Sequence, residues 1–133
     1  MKIQEIEGIG PVYAEKLAQA GITTTEGLLK AAGHKGGRKA LAAETGIDES
    51  MLLEWVNRAD LMRVKGIGSE YSDLLEAAGV DTVKELAQRN PENLHAALTA
   101  TNAEKNLVRR LPPLSAVKGW VEAAKTMEAG VTH

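Results

Sequence analysis

Two Gly-Ile-Gly triplets are the residues of this chain whose type and spacing best suit the binding of an anion. They are Gly8-Ile9-Gly10 and Gly66-Ile67-Gly68, and each precedes a segment whose apolar residues have helical spacing. Glycine permits the sharp turn that a short connection between two helices requires. The backbone amides of such a turn point outward at the start of the next helix, where the helix dipole is positive. The triplets therefore predict two exposed turns that can hold a phosphate group.

Basic side chains cluster in two stretches that contain no acidic residue. One lies between Glu26 and Glu44 and the other between Glu104 and Glu122, and together they hold half of the 16 Lys and Arg residues. The formal net charge of −2 is not typical of a dedicated nucleic-acid-binding protein. The clusters indicate either contacts to a polyanion or solvated helix faces. Their members are Lys30, Lys35, Arg38, Lys39, Lys105, Arg109, Arg110 and Lys118.

Catalytic and metal-binding chemistry has little support in the sequence. The chain has no Cys, which excludes disulfides, cysteine nucleophiles and cysteine-based metal sites. None of His34, His95 and His133 has the spacing to a second ligand that is typical of a metal-binding helix. The carboxylates form no recognisable acid–base pair. We therefore expect a protein that is not an enzyme, with no cofactor and no metal.

The elements that must position these residues occur twice. The segment IEGIGPVYAEKLAQAGITT, from Ile6, aligns with VKGIGSEYSDLLEAAGVDT, from Val64. The spacing from Tyr to Trp is seven residues longer in the second copy, which places an insertion around residues 101–111. Because the unit is duplicated, we expect the function of the protein to reside in that unit. All four aromatic residues occupy equivalent positions, Tyr13 with Tyr71 and Trp55 with Trp120. We expect the Trp residues in the core, whereas the Tyr residues could also contact a ligand.

Composition and spacing predict an all-α protein of about ten short helices. Ala and Leu are frequent and Phe is absent, which favours helices. One of the ten is predicted from Thr101 and Glu104, whose spacing is that of a capping box. We expect a first repeat over residues 1–60, a second over 61–128 and a flexible tail over 129–133. No Gly- or Ser-rich spacer separates the repeats, which favours two pseudo-symmetric halves in one globule.

The sequence also predicts where the protein resides. Its longest apolar runs are only a few residues, so we expect no membrane-spanning segment. The opening residues MKIQEIEG carry charges where a signal peptide needs an apolar core. The expected location is cytoplasmic.

The residues around each triplet resemble the helix-hairpin-helix motif. The patterns are Ile3-x-x-Ile6-x-Gly8-Ile9-Gly10 and Leu61-x-x-Val64-x-Gly66-Ile67-Gly68. The resemblance implies two short helices packed through their apolar faces, with the central Ile filling the core beneath the turn. In many members of the motif class the turn contacts a DNA phosphate without sequence specificity. Some also hold a monovalent cation on the hairpin carbonyls.

Three further stretches cover almost the full length of the chain: EGIGPVYAEKLAQAGITT, LLEWVNRADLMRVKGIGSEYSDLLEAAGVDTVKELAQRNPENLHAAL and VRRLPPLSAVKGWVEAAK. They resemble an uncharacterised, mainly bacterial family of tandem helix-hairpin-helix proteins, catalogued only as a domain of unknown function. The resemblance implies the fold and brings no activity.

Two hypotheses for the function remain open. In the first, the amides of both triplets contact nucleic-acid backbone, supported by Lys30, Lys35, Arg38 and Lys39 and by Arg109 and Arg110. In the second, the hairpins are joints of a protein-interaction or scaffold module. DNA-binding hairpins commonly carry Lys or Arg just after the second glycine, where this chain has Pro11-Val12-Tyr13 and Ser69-Glu70-Tyr71. Carboxylates near the turns repel phosphate, so the local charges favour the second hypothesis, whereas the motif class favours the first.

Overall fold

The computed structural model describes all residues from Met1 to His133 and contains helices without a β-sheet. A short 3₁₀ helix, Ile3–Glu5, comes first. Eight α-helices follow it, which confirms the all-α prediction. They are α1 Pro11–Gln19, α2 Thr25–Ala32, α3 Lys35–Thr45, α4 Glu49–Leu61, α5 Ser69–Ala77, α6 Val83–Leu86, α7 Pro91–Lys105 and α8 Leu114–Lys125.

Two of the roughly ten predicted helices are absent, each for a local reason. The opening residues form only the 3₁₀ turn, because Ile6 already has extended backbone angles. The helix predicted from Thr101 and Glu104 is absent because both residues lie inside the last turns of α7. That helix ends at Asn106, whose φ of 50° is left-handed, and a loop over residues 106–113 leads to α8.

Helix starts fall into two kinds. The side chains of Thr24, Thr82 and Asn90 accept hydrogen bonds from first-turn amides of α2, α6 and α7. Such caps satisfy donors that the helix itself cannot satisfy. The N-cap residues of α1 and α5 are Gly10 and Gly68, which have no side chain to do so. The two helices that follow the Gly-Ile-Gly triplets therefore begin with amides that no side chain caps, and α1 has one fewer of them because Pro11 has no N–H.

The chain divides into two compact units, with the division at the end of α4. The first consists of Met1–Asp60 together with Gly130–His133, and the second of Leu61–Ala129. Each unit buries its own apolar residues, which provide most of the stabilisation in a small helical body. The fully buried large side chains of the first are Ile3, Ile6, Leu17, Leu28 and Leu52, and those of the second are Leu61, Ile67, Leu74, Leu75, Leu86, Leu94 and Leu98.

The last residues differ from the flexible tail predicted over 129–133. The amide of Thr132 donates a hydrogen bond to the carbonyl of Gly33 at 2.8 Å. The neighbouring Val131 is buried. The chain end thus lies against the end of α2 in the first unit, and backbone pairing with burial of an apolar side chain holds it there.

Candidate functional site

The two glycine turns have the same backbone geometry. We call Gly8–Gly10 the first glycine turn and Gly66–Gly68 the second. Their leading glycines have φ of 95° and 94°, in the left-handed region that side chains disfavour. One hydrogen bond closes each turn, from Ile9 N to Ile6 O at 3.2 Å and from Ile67 N to Val64 O at 3.1 Å. The repeated sequence therefore specifies the same turn twice.

A tryptophan lies beneath each turn. A β-carbon built on Gly8 would be 3.3 Å from Nε1 of Trp55, and one built on Gly66 would be 3.0 Å from Nε1 of Trp120. Both indoles are buried, with exposed fractions of 2% and 4%, which confirms the core position predicted for them. Glycine is therefore required here for close approach as well as for its backbone angle.

A tyrosine packs on each tryptophan but bonds differently in the two repeats. The ring centroids of Tyr13 and Trp55 are 5.2 Å apart, and those of Tyr71 and Trp120 are 5.3 Å apart. These are favourable tilted aromatic contacts. The hydroxyl of Tyr13 lies 3.9 Å from the sulfur of Met51. The hydroxyl of Tyr71 instead donates to a backbone carbonyl of the loop over residues 106–113.

The turns present backbone to solvent and hide their central side chains. Gly8, Gly10 and Gly66 are exposed and Gly68 is half-buried, whereas Ile9 and Ile67 are buried. The isoleucine side chains thus fill the core, as the motif resemblance implied. Only main-chain groups of these residues can contact a ligand. Open amides at the start of a helix are suited to binding an anion, because the helix dipole adds to their positive charge.

The charges beside the two turns are opposite in sign. Glu5 and Glu7 flank the first turn, and the equivalent residues beside the second are Arg63 and Lys65. Arg63 donates to the carbonyl of Glu128 at 2.8 Å. Lys65 is exposed and lies immediately before Gly66. Lys65 was not among the predicted contacts, although the alignment of the two copies places this cation opposite Glu7.

Arg38 does not belong to a basic surface. It is buried, with an exposed fraction of 4%. Its Nη1 donates to the carbonyls of Ala32 at 3.1 Å and Gly33 at 2.9 Å, and its Nη2 donates to the carbonyl of Thr132. The predicted contact of Arg38 with nucleic acid is therefore corrected. The guanidinium is directed inward because it caps the C-terminal end of α2, where free carbonyls and the helix dipole favour a cation.

The other predicted cations of the first stretch are exposed. Lys30 lies on α2, and Lys35 and Lys39 lie on α3. Lys35 and Lys39 are four residues apart on one helix and so share a face. His34 is exposed at the N-cap of α3. The structure thus leaves a smaller basic surface than the sequence predicted, made of the three lysines.

The predicted cations of the second stretch differ in whether they form an ion pair. Nζ of Lys118 forms an ion pair with Glu92 at 3.6 Å. Lys105, Arg109 and Arg110 are exposed at and after the end of α7. The first basic stretch lies in the first unit and the second stretch in the second unit. Each unit therefore has one glycine turn and one group of exposed cations.

The structure offers no metal centre and no span for a membrane. No three His, Asp or Glu side chains lie close enough together to hold a metal ion. None of the helices is both long enough and apolar enough to cross a bilayer.

Comparisons with known proteins add one assignment. Neither the curated proteins nor the solved structures contain a match to this chain. A family model, described as a domain of unknown function (DUF4332), matches residues 7–127. This range includes both glycine turns, both Tyr–Trp pairs and the loop between α7 and α8. The chain therefore belongs to the DUF4332 family.

Proposed function

We propose that this chain is a non-catalytic tandem helix-hairpin-helix module that binds nucleic-acid backbone without sequence specificity. The observation that carries the proposal is the repeated pair of exposed glycine turns, each at the open N-terminus of a helix of nine residues. Two copies of one turn geometry, each with uncapped amides after it, suit a ligand with repeated anionic groups. A nucleic-acid backbone is such a ligand.

Electrostatic support for the proposal comes from side chains outside the turns. Affinity for a phosphate backbone depends largely on the counterions released when cations approach it. The exposed cations available for this are Lys30, Lys35 and Lys39 in the first unit and Lys65, Arg109 and Arg110 in the second. Arg38 is not among them, because its guanidinium is bonded to three backbone carbonyls.

A protein-interaction module is the second candidate function, and features of the first turn favour it. Glu5 and Glu7 place negative charge beside that turn, where a phosphate would be repelled. Val12, in the first turn of α1, has an exposed fraction of 69%. An apolar tip with an acidic rim suits a protein surface better than a phosphate backbone.

Titration of labelled DNA at two salt concentrations tests the proposal. The full chain is titrated into fluorescently labelled duplex and single-stranded oligonucleotides, and anisotropy reports binding. A Lys35→Ala/Lys39→Ala variant removes two exposed cations of the first unit. The matched control is Lys84→Ala/Lys125→Ala, which removes the same charge from exposed positions outside both predicted basic stretches.

The proposal predicts affinity that falls steeply with salt in the parent chain. It also predicts a shallower salt dependence in the Lys35/Lys39 variant than in the control, because fewer counterions are released. Absence of DNA binding even at low salt would contradict the proposal and favour the protein-interaction module. Equal effects of the two double variants would show that net charge alone determines the binding.

A further inference from the structure

The second repeat contains an element that the first lacks. Residues 106–113 form a loop between α7 and α8, in the region where the second copy is longer. Arg109 and Arg110 lie in its middle and both are exposed. The range predicted for the insertion, residues 101–111, thus holds the end of α7 and most of this basic loop rather than an additional helix.

This loop is fixed to the body of the second unit at several points. The side chain of Asn102 accepts a hydrogen bond from Val108 N at 2.9 Å and donates one to Val108 O at 3.1 Å. A ring nitrogen of His95, Nε2, lies 3.1 Å from the carbonyl oxygen of Pro112. Val108 itself is buried. The backbone that carries the two arginines is therefore held at both ends.

Tyr71 joins the loop to the helix that follows the second glycine turn. Its hydroxyl donates to the carbonyl of Arg110 at 3.0 Å. Tyr71 is the third residue of α5, and Gly68 is the N-cap of that helix. The loop backbone is thereby fixed within one helical turn of the second glycine turn. The equivalent Tyr13 makes no such link, since its hydroxyl faces the sulfur of Met51.

The two loop arginines differ from the other four arginines of the chain in having free guanidinium groups. Arg38, Arg63 and Arg89 all donate hydrogen bonds from their guanidinium nitrogens. Arg109 and Arg110 make no such contact within the chain. Guanidinium matches phosphate oxygens in a two-pronged geometry that an ammonium group cannot reproduce. Because the loop backbone is already held in place, it loses less conformational entropy when a ligand binds.

We propose that Arg109 and Arg110 contact the phosphodiester backbone of duplex DNA and that Tyr71 positions them. The loop over residues 106–113 is then the main electrostatic contact of the second repeat. It compensates for Glu70 and Asp73, which follow the second glycine turn. This inference rests on the proposed function, and its test separates the two.

Replacement of both arginines is the first test. Arg109→Gln/Arg110→Gln keeps the polar character of the loop and removes two charges, and Lys84→Gln/Lys125→Gln is the control. If each arginine neutralises one phosphate, the slope of log Kobs against log salt becomes shallower by about 1.8. Between about 50 and 200 mM salt, the parent chain then loses about 12-fold more affinity than the arginine variant. The control is expected to keep the parent slope.

Loss of the tyrosine hydroxyl tests positioning without removing any charge. Tyr71→Phe keeps the ring that packs on Trp120 and removes only the bond to Arg110 O. We expect weaker DNA binding and a shift of the amide NMR signals over residues 106–113. Tyr13→Phe is the matched control, because it removes the equivalent hydroxyl from the other repeat. It should leave both the affinity and these signals unchanged.

Three results would overturn the inference, and they differ in what they leave standing. An unchanged salt slope in the arginine variant, with a reduced slope in Lys35→Ala/Lys39→Ala, removes the loop from the interface and keeps the proposed function. Equal effects of Tyr71→Phe and Tyr13→Phe remove the positioning role alone. Failure of the parent chain to bind DNA at low salt removes both the inference and the proposed function.

Discussion

The indole of Trp120 lies against Gly66 so closely that a β-carbon on the glycine would be 3.0 Å from Nε1. The same relationship joins Trp55 to Gly8 at 3.3 Å. Each tryptophan belongs to a helix far along the chain from its glycine, so the contact fixes the turn to the body of its own unit. The turn geometry is therefore a product of tertiary packing as well as of local glycine conformation.

Gly66→Ala is predicted to lower the free energy of unfolding by about 1–3 kcal/mol. The φ of 94° is strained for alanine, and the new methyl group is closer to Trp120 than an ordinary contact. Gly8→Ala should cost somewhat less, since its β-carbon would have more room. Urea denaturation followed by circular dichroism measures the difference.

The control for this prediction is a glycine with no special conformation. Gly119 lies in α8, and a β-carbon there meets nothing within 4 Å. Gly119→Ala should be neutral or stabilise by up to about 1 kcal/mol, because alanine favours the helix. A Gly66→Ala variant as stable as Gly119→Ala would contradict the importance of the turn geometry.

Arg38→Met is predicted to cost about 3 kcal/mol or more of folding stability. The substitution keeps an apolar stem but leaves the carbonyls of Ala32, Gly33 and Thr132 without their charged donor. Lys39→Met on the same helix should change stability by no more than about 0.5 kcal/mol, because its side chain is exposed. Thermal and urea unfolding compare the two variants. Equal stability of the two variants would contradict the buried, hydrogen-bonded position of Arg38.

Gly37→Ala is predicted to destabilise the first unit strongly, whereas Gly36→Ala should be nearly neutral. A β-carbon on Gly37 would overlap the backbone carbonyl of Ala31 in α2, which cannot move without shifting that helix. A β-carbon on Gly36 would meet only the ring of His34 at 3.7 Å, an ordinary contact. Unfolding midpoints of these adjacent substitutions measure how closely α2 and α3 cross. Similar midpoints would contradict the close crossing.

Some of this architecture could be predicted from the sequence because its determinants are local. Glycine at Gly8 and Gly66 and helical spacing around Trp55 and Trp120 indicate turns and core positions without tertiary information. These are the features that the duplication repeats, so each copy supports the interpretation of the other. The all-α class follows from the same short-range patterns.

What the sequence could not predict depends on contacts distant along the chain. Arg38 has the same local surroundings as Lys35 and Lys39, and only the positions of α2 and the chain end direct it inward. No new helix starts at Thr101, because α7 runs on to Lys105, and the loop that follows is held by the hydrogen bonds between Asn102 and the backbone of Val108. A capping-box pattern marks a helix start only where the preceding helix has already ended. Here α7 continues through both Thr101 and Glu104.

Glu7→Lys is predicted to increase DNA affinity and to steepen its salt dependence. Glu7 lies immediately before Gly8, at the position that Lys65 occupies beside the second turn. The substitution therefore gives the first turn the charge of the second and removes a carboxylate that repels phosphate. One added phosphate contact steepens the slope of log Kobs against log salt by about 0.9. Glu44→Lys makes the same change in net charge at an exposed position near the end of α3, outside both turns, and anisotropy titrations compare the two. An equal gain in both variants would mean that the first glycine turn does not contact the backbone of the DNA.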